Sequence, residues 1–89
     1  MEMKSIEKLA ALAHPQRLAV FRLLMRRYPD RVPAGAIAAA LELKASTLSV
    51  YLATLRSAGL VSQVRAGKSL TYAADTQSAA GLVEFLFED

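Results

Sequence analysis

The sequence predicts a mostly α-helical domain with a small β-hairpin, an α+β fold. Three observations predict it. Apolar residues recur at helical spacing through most of residues 4–58. Proline and glycine interrupt that spacing at His14-Pro15, Pro29-Asp30 and Gly59. The period then shortens to two strand-type runs on either side of Ala66-Gly67-Lys68-Ser69. The 89 residues fit one domain, spanning 1–89, and leave no room for a second. Hydrophobic residues make up 54% of the chain and charged residues 21%, enough apolar content for a packed core.

The first helix is expected at about 4–13, with Ile6, Leu9, Ala10 and Ala13 on one face and Lys4, Glu7 and Lys8 off it. Pro15 suits the first turn of a second helix, because its missing N–H would be unpaired there in any case. That helix runs to about residue 28, with Leu18, Phe21, Leu24 and Met25 as its apolar set and Val20 and Leu23 widening the stripe. Residues 32–33 read as a short link. A third helix is expected at about 34–41, with Ile37, Ala38 and Leu41 inward. After a turn at Leu43-Lys44-Ala45, Ser46 opens a fourth helix at about 46–58, with Leu48, Leu52 and Leu55 inward and Gly59 as its left-handed stop. The hairpin spans about 60–74. Asp75 or Thr76 caps a last helix at about 76–87, which is apolar on more than one side and so calls for a second buried face.

Charge is distributed unevenly. The net charge is +3, yet residues 14–74 carry nine basic groups against Asp30 and Glu42, a surplus of +7. Residues 75–89 carry four acidic groups and no basic one. A basic centre points to a polyanion partner. The chain has no cysteine, which excludes disulfides, thiolate metal sites and thiol catalysis within it. No apolar run approaches the roughly 18–20 residues of a membrane span. No signal-peptide pattern opens the sequence, so a cytoplasmic protein without a membrane partner is expected.

Two short helices joined by a tight turn and followed by a hairpin with a basic tip make a winged helix-turn-helix. The inward leucines of the fourth helix fix its outward set. That set is Ser46, Thr47, Ser49, Val50, Tyr51, Ala53, Thr54 and Arg56, small and hydrogen-bonding near the N-terminal end, with Lys44 and Arg56 near the two ends. An α-helix fits the DNA major groove, and its N-terminal side chains reach base edges or phosphates. Serine and threonine are poor solvent-face choices for a helix, so a run of exposed hydroxyls favours a contact role over a merely solvated face. Arg65 and Lys68 flank Gly67 at the hairpin tip, within reach of a phosphate or an adjacent minor groove.

The segment Ala11-Leu12-Ala13-His14-Pro15-Gln16-Arg17-Leu18, with Phe21-Arg22-Leu23-Leu24 after it, resembles the opening of the ArsR family of bacterial winged-helix regulators. Thr47-Leu48-Ser49-Val50-Tyr51-Leu52 and Leu55-Arg56-Ser57-Ala58-Gly59-Leu60-Val61 resemble its recognition helix and exit, and Arg65-Ala66-Gly67-Lys68 through Tyr72 its wing. The resemblance implies a homodimer built from the first and last helices, with Ile6, Leu9, Leu82, Phe85 and Leu86 at the interface. It implies two recognition helices in successive major grooves of double-stranded DNA, over a two-fold symmetric operator with half-sites roughly 34 Å apart. It also implies repression relieved by an inducer. Ser46, Thr47, Ser49 and Tyr51 would face the groove, with Arg65 and Lys68 on the wing. The sequence departs from the family at Val50, often polar there, and at Tyr51, often histidine. Val50 would then add apolar contact, for instance with a thymine methyl.

No cofactor or metal site is expected. One histidine and no thiol cannot supply the three or four ligands of a zinc site within a chain. His14 fits a capping or turn role. The family resemblance allows a metalloid inducer only through a cysteine pair just beyond the last helix, in a tail after residue 89, and the residues name no other inducer. The competing function is a winged-helix module for protein–protein contact, favoured by the light charge of the fourth helix. An enzyme is not expected, because no paired carboxylates, no histidine–nucleophile set and no phosphate-cradling glycine loop occur.

Overall fold

The computed structural model describes residues 3–88. Met1, Glu2 and Asp89 lie outside the described residues, and so does the expectation about a tail beyond Asp89. The elements run α1 (Met3–Leu12), α2 (Pro15–Arg27), β1 (Val32–Pro33), α3 (Ala34–Leu41), α4 (Ala45–Ser57), β2 (Val61–Ala66), β3 (Ser69–Ala74) and α5 (Thr76–Phe87). Each helix boundary falls within one residue of its expected place.

The strands form an antiparallel sheet in the order β1-β3-β2. The β1 strand corrects the reading of residues 32–33 as a link, since Val32 pairs with Tyr72 and Pro33 with Thr71. Two residues are too few to show alternation, and Pro33 is tolerated because the strand lies at the sheet edge. β2 and β3 pair from Val61↔Ala74 to Ala66↔Ser69, leaving a two-residue turn at Gly67-Lys68. Gly67 has φ 63°, and positive φ at the first loop position matches the twist of a hairpin.

The core lies between α2, α3, α4 and the base of the sheet. Val20, Leu24, Ile37, Leu48, Leu52, Leu55 and Leu60 are all fully enclosed. The inward leucines of α4 are those the spacing predicts. The inward set of α2 is Val20, Phe21, Leu23 and Leu24, while Leu18 and Met25 stand exposed, which corrects their assignment to the core.

Helix α1 is turned the other way round. It buries Ser5, Lys8 and Ala11 against its own chain. Its apolar stripe points away, with Leu9, Ala10 and Ala13 exposed and Ile6 half-buried. The stripe is genuine, but it belongs to a surface that the single chain does not cover.

Two connections place α4. Its entrance follows Glu42, which takes the left-handed conformation (φ 52°) in the turn between α3 and α4. The Leu43 N–H closes back on the Ala38 carbonyl at 3.0 Å, a Schellman-type stop with a glutamate where glycine is usual. Its exit is Gly59 (φ 77°), where a Cβ would be strained. The Ser78 hydroxyl donates to the Gly59 carbonyl at 2.7 Å, so the start of α5 is tied to the end of α4.

Candidate nucleic-acid interface

α4 is 13 residues long, about 20 Å at 1.5 Å per residue. With Leu48, Leu52 and Leu55 buried, helical geometry leaves Ser46, Ser49, Val50, Ala53 and Ser57 along the opposite line, and all five are exposed. None is bulky, so a second surface can approach the helix backbone closely. Val50, 63% exposed, is the largest apolar group on this line.

The helix begins at Ala45, one residue before the expected entrance at Ser46. Lys44 occupies the cap position, and no side chain caps the helix. Ser46 therefore sits in the first turn with its hydroxyl outward and not in a cap. Thr54 bonds its hydroxyl back to the Val50 carbonyl at 3.2 Å.

The two flanks of α4 differ. On one flank Arg56 lines a groove with Ala53, Ser57, Val61, Ser62 and Gln63, which leads onto β2 and the wing. On the other flank Tyr51 is half-buried against the start of α2. Its ring lies 5.1 Å from the ring of His14, and its hydroxyl donates to Oε1 of Gln16. Tyr51 is thus committed to a neighbour inside the chain and is not a freely projecting groove residue. Thr47 is half-buried on the same side.

His14 caps α2, with Nδ1 accepting the Gln16 N–H at 3.2 Å. That is the capping role its place before Pro15 suggested. Among the described residues no group of three or more His, Cys, Asp or Glu side chains converges on a metal-sized site.

The basic centre divides into two kinds. Arg17 and Arg31 are structural. Arg17 donates to the Ala11 carbonyl at 2.7 Å and closes the end of α1. Arg31 donates to Thr71 Oγ1 at 3.1 Å and its carbonyl at 3.0 Å, and to Ser62 Oγ at 3.1 Å and its carbonyl at 3.0 Å. This fork joins the residue before β1 to β3 and β2 and holds the base of the wing. The other seven basic side chains of residues 14–74 are exposed, Arg65 and Lys68 at the wing tip among them.

Sequence reading placed Ala53 on the outward face but missed Gln16 and Ser57. Ser57 follows from extending the 46/49/50 line by two turns. Gln16 carries no such signal, because its link to α4 spans 35 residues of chain.

A helix-turn-helix domain family model matches residues 12–64 of this chain. An HTH-type transcriptional regulator of Mycobacterium tuberculosis is 34% identical over 88 residues, covering 93% of this chain and 75% of that protein. The biofilm growth-associated repressor of Agrobacterium fabrum is 35% identical over 79 residues, covering 89% of this chain and 65% of that protein. The homodimeric winged helix-turn-helix DNA-binding domain of a possible ArsR-family regulator from Mycobacterium bovis superposes with a TM-score of 0.78. It is 27% identical and covers 93% of this chain and 75% of that one. The chain belongs to the ArsR family of winged helix-turn-helix transcriptional regulators. The ArsR-family chain is accordingly a DNA-binding transcriptional regulator, with α3 and α4 as its helix-turn-helix and β2-β3 as its wing.

The last helix completes the picture of this ArsR-family chain. Asp75 caps α5 by accepting the Ser78 N–H at 3.0 Å. Leu82 is buried in its own protomer at 8% exposure, which removes it from the outward set expected for an interface. Phe85 is half-buried, while Val83, Leu86 and Phe87 project, Phe87 at 85% exposure. α5 packs on α1, so these groups and the outward stripe of α1 belong to neighbouring elements.

Proposed function

We propose that this regulator is a homodimeric repressor that reads a two-fold symmetric operator and is released by an inducer. The observation that carries the reading is the outward line of α4. Small hydroxyl and apolar groups at Ser46, Ser49, Val50, Ala53 and Ser57 suit insertion into a major groove about 12 Å wide. Ser46, Ser49 and Val50 face base edges near the N-terminal end. Lys44, Arg56 and the wing residues Arg65 and Lys68 take phosphates. Thr47 and Tyr51 set the helix against its neighbours on the α2 side.

Dimerisation is supported by the uncovered apolar face of Ile6, Leu9, Phe85 and Leu86, extended by Met3, Val83 and Phe87. An exposed phenylalanine beside leucine and valine is costly in water and stabilises an association that covers it, each such side chain contributing about 1.5–3 kcal/mol when buried. The homodimeric state and the repressor activity named for similar proteins support the same assignment here. Because α5 is tied to α4 through Ser78 and Gly59, a change in how two protomers meet is transmitted to the spacing of the recognition helices. An inducer acting this way needs a coupling of about 1–3 kcal/mol. A DNA target places the working protein in the compartment that holds the genome.

Selection of duplex from a randomised pool, followed by fluorescence anisotropy at two salt concentrations, tests the reading. It predicts an enriched site with two-fold symmetry, two protomers per site and affinity that falls steeply with salt. Failure to enrich any site, with salt-independent association, would assign the fold to protein–protein contact.

A further inference from the structure

Gln16 sits in the first turn of α2, outside the helix-turn-helix pair, yet it is fastened to the middle of α4. Tyr51 donates its hydroxyl to Gln16 Oε1, and the His14 ring lies against Tyr51 on the same side. That bond uses the acceptor end of the carboxamide. Its NH2 end, with two donors, has no partner among the described residues, and the side chain is exposed.

The position of this NH2 group is set by the two flanks of α4. A helix in the major groove lies between two phosphate strands, one on each rim. Arg56 and the groove toward β2 serve one rim. Tyr51, five residues before Arg56 and so about 140° around the helix, marks the other. The rim on the Tyr51 side receives no cation from α4 itself, because Arg56 is the only charged residue between Ala45 and Ser57. Residues 14–29 contain no acidic side chain, so nothing in this segment repels a phosphate.

We infer that Gln16, held by Tyr51, is a phosphate-contacting residue that clamps the second rim of the groove through its carboxamide NH2. The inference rests on the DNA-binding geometry proposed above and adds a contact from outside the recognition helix. Glutamine side chains are ordinary phosphate donors in protein–DNA interfaces and position the protein without reading sequence. Tyr51 is then a positioning residue. Its hydroxyl holds Oε1, so the donors are presented in one orientation without a loss of side-chain freedom on binding.

The test compares Gln16→Glu, Gln16→Ala and Tyr51→Phe on the selected duplex by anisotropy, with Arg65→Ala/Lys68→Ala as the reference variant. Gln16→Glu keeps the acceptor for Tyr51 and replaces the NH2 donors with a carboxylate oxygen. A carboxylate in the first turn of a helix favours that helix, so this variant keeps its fold. The expected result is a loss of about tenfold or more for Gln16→Glu, from like-charge repulsion against phosphate, narrowing as salt screens it. Gln16→Ala loses less. Tyr51→Phe loses about as much as Gln16→Ala, and combining the two adds little, as for two members of one unit.

Binding by Gln16→Glu within twofold of the parent, while Arg65→Ala/Lys68→Ala is weakened, overturns the Gln16 contact and leaves the wing and α4 geometry standing. Equal losses for Gln16→Ala and Tyr51→Phe with Gln16→Glu tolerated assign Gln16 to support of Tyr51 alone and also overturn it. If the wing variant binds as the parent does, the DNA geometry itself falls.

Discussion

Arg31 and Thr71 are joined across the sheet by two hydrogen bonds, from the guanidinium to Thr71 Oγ1 at 3.1 Å and to its carbonyl at 3.0 Å. The same guanidinium holds Ser62, so one side chain fixes β2 and β3 to the segment that leads into α3. A planar fork with five donors can do this and an ammonium cannot. Arg31→Lys is expected to cost about 1.5–3 kcal/mol, the range for hydrogen bonds to a charged group, read as a lower urea midpoint. Its salt slope for DNA binding should match the parent. A slope reduced by about one unit would instead mark Arg31 as a phosphate contact.

Glu42 holds the left-handed turn between α3 and α4 at φ 52°. That conformation costs a non-glycine L residue roughly 1–2 kcal/mol, part of which glycine returns as lost chain entropy. Glu42→Gly should therefore stabilise the fold by up to about 1 kcal/mol, read as a higher urea midpoint, and Glu42→Val should lower that midpoint. Equal stability of the three proteins would mean that the turn relaxes.

Leu55 and Val50 lie on opposite sides of one helix. Leu55 is fully enclosed, and Val50 is 63% exposed. Leu55→Ala should destabilise the fold by about 2–5 kcal/mol through lost burial and the cavity left behind. Val50→Ala should leave the unfolding midpoint nearly unchanged and alter only DNA affinity. A large stability loss at Val50 would place that side chain in a core the single chain does not show.

Leu86 is 60% exposed on α5, the helix that packs on α1. Leu86→Glu is expected to shift sedimentation toward the monomer and to weaken operator binding with it. A variant that stays dimeric at the parent's concentration would move the interface elsewhere.

Much of this was readable from residue order. The 48/52/55 spacing places α4 and gives its outward face by subtraction. Gly59 and Gly67 mark the helix stop and the wing turn because both need positive φ. What stayed hidden depends on residues far apart in the chain. Two-residue β1 exists only through its pairing with Tyr72 and Thr71. The Arg31 fork reaches across 31 and 40 residues, and Tyr51–Gln16 across 35. Arg17 and Arg31 read as surface charge until their carbonyl partners are seen. The α1 stripe misleads in a different way. Periodicity reports that a face is apolar, not whether its own chain or another covers it.

The central claim is that the outward line of α4 reads bases. Ser49→Ala tests it most directly, by anisotropy on the selected duplex and on a scrambled duplex at one salt concentration. Weakened binding to the selected duplex, with binding to the scrambled one unchanged, is the predicted result, on the order of 1–3 kcal/mol for a lost base contact. Equal weakening of both would place Ser49 on a phosphate, and no change on either would contradict the claim.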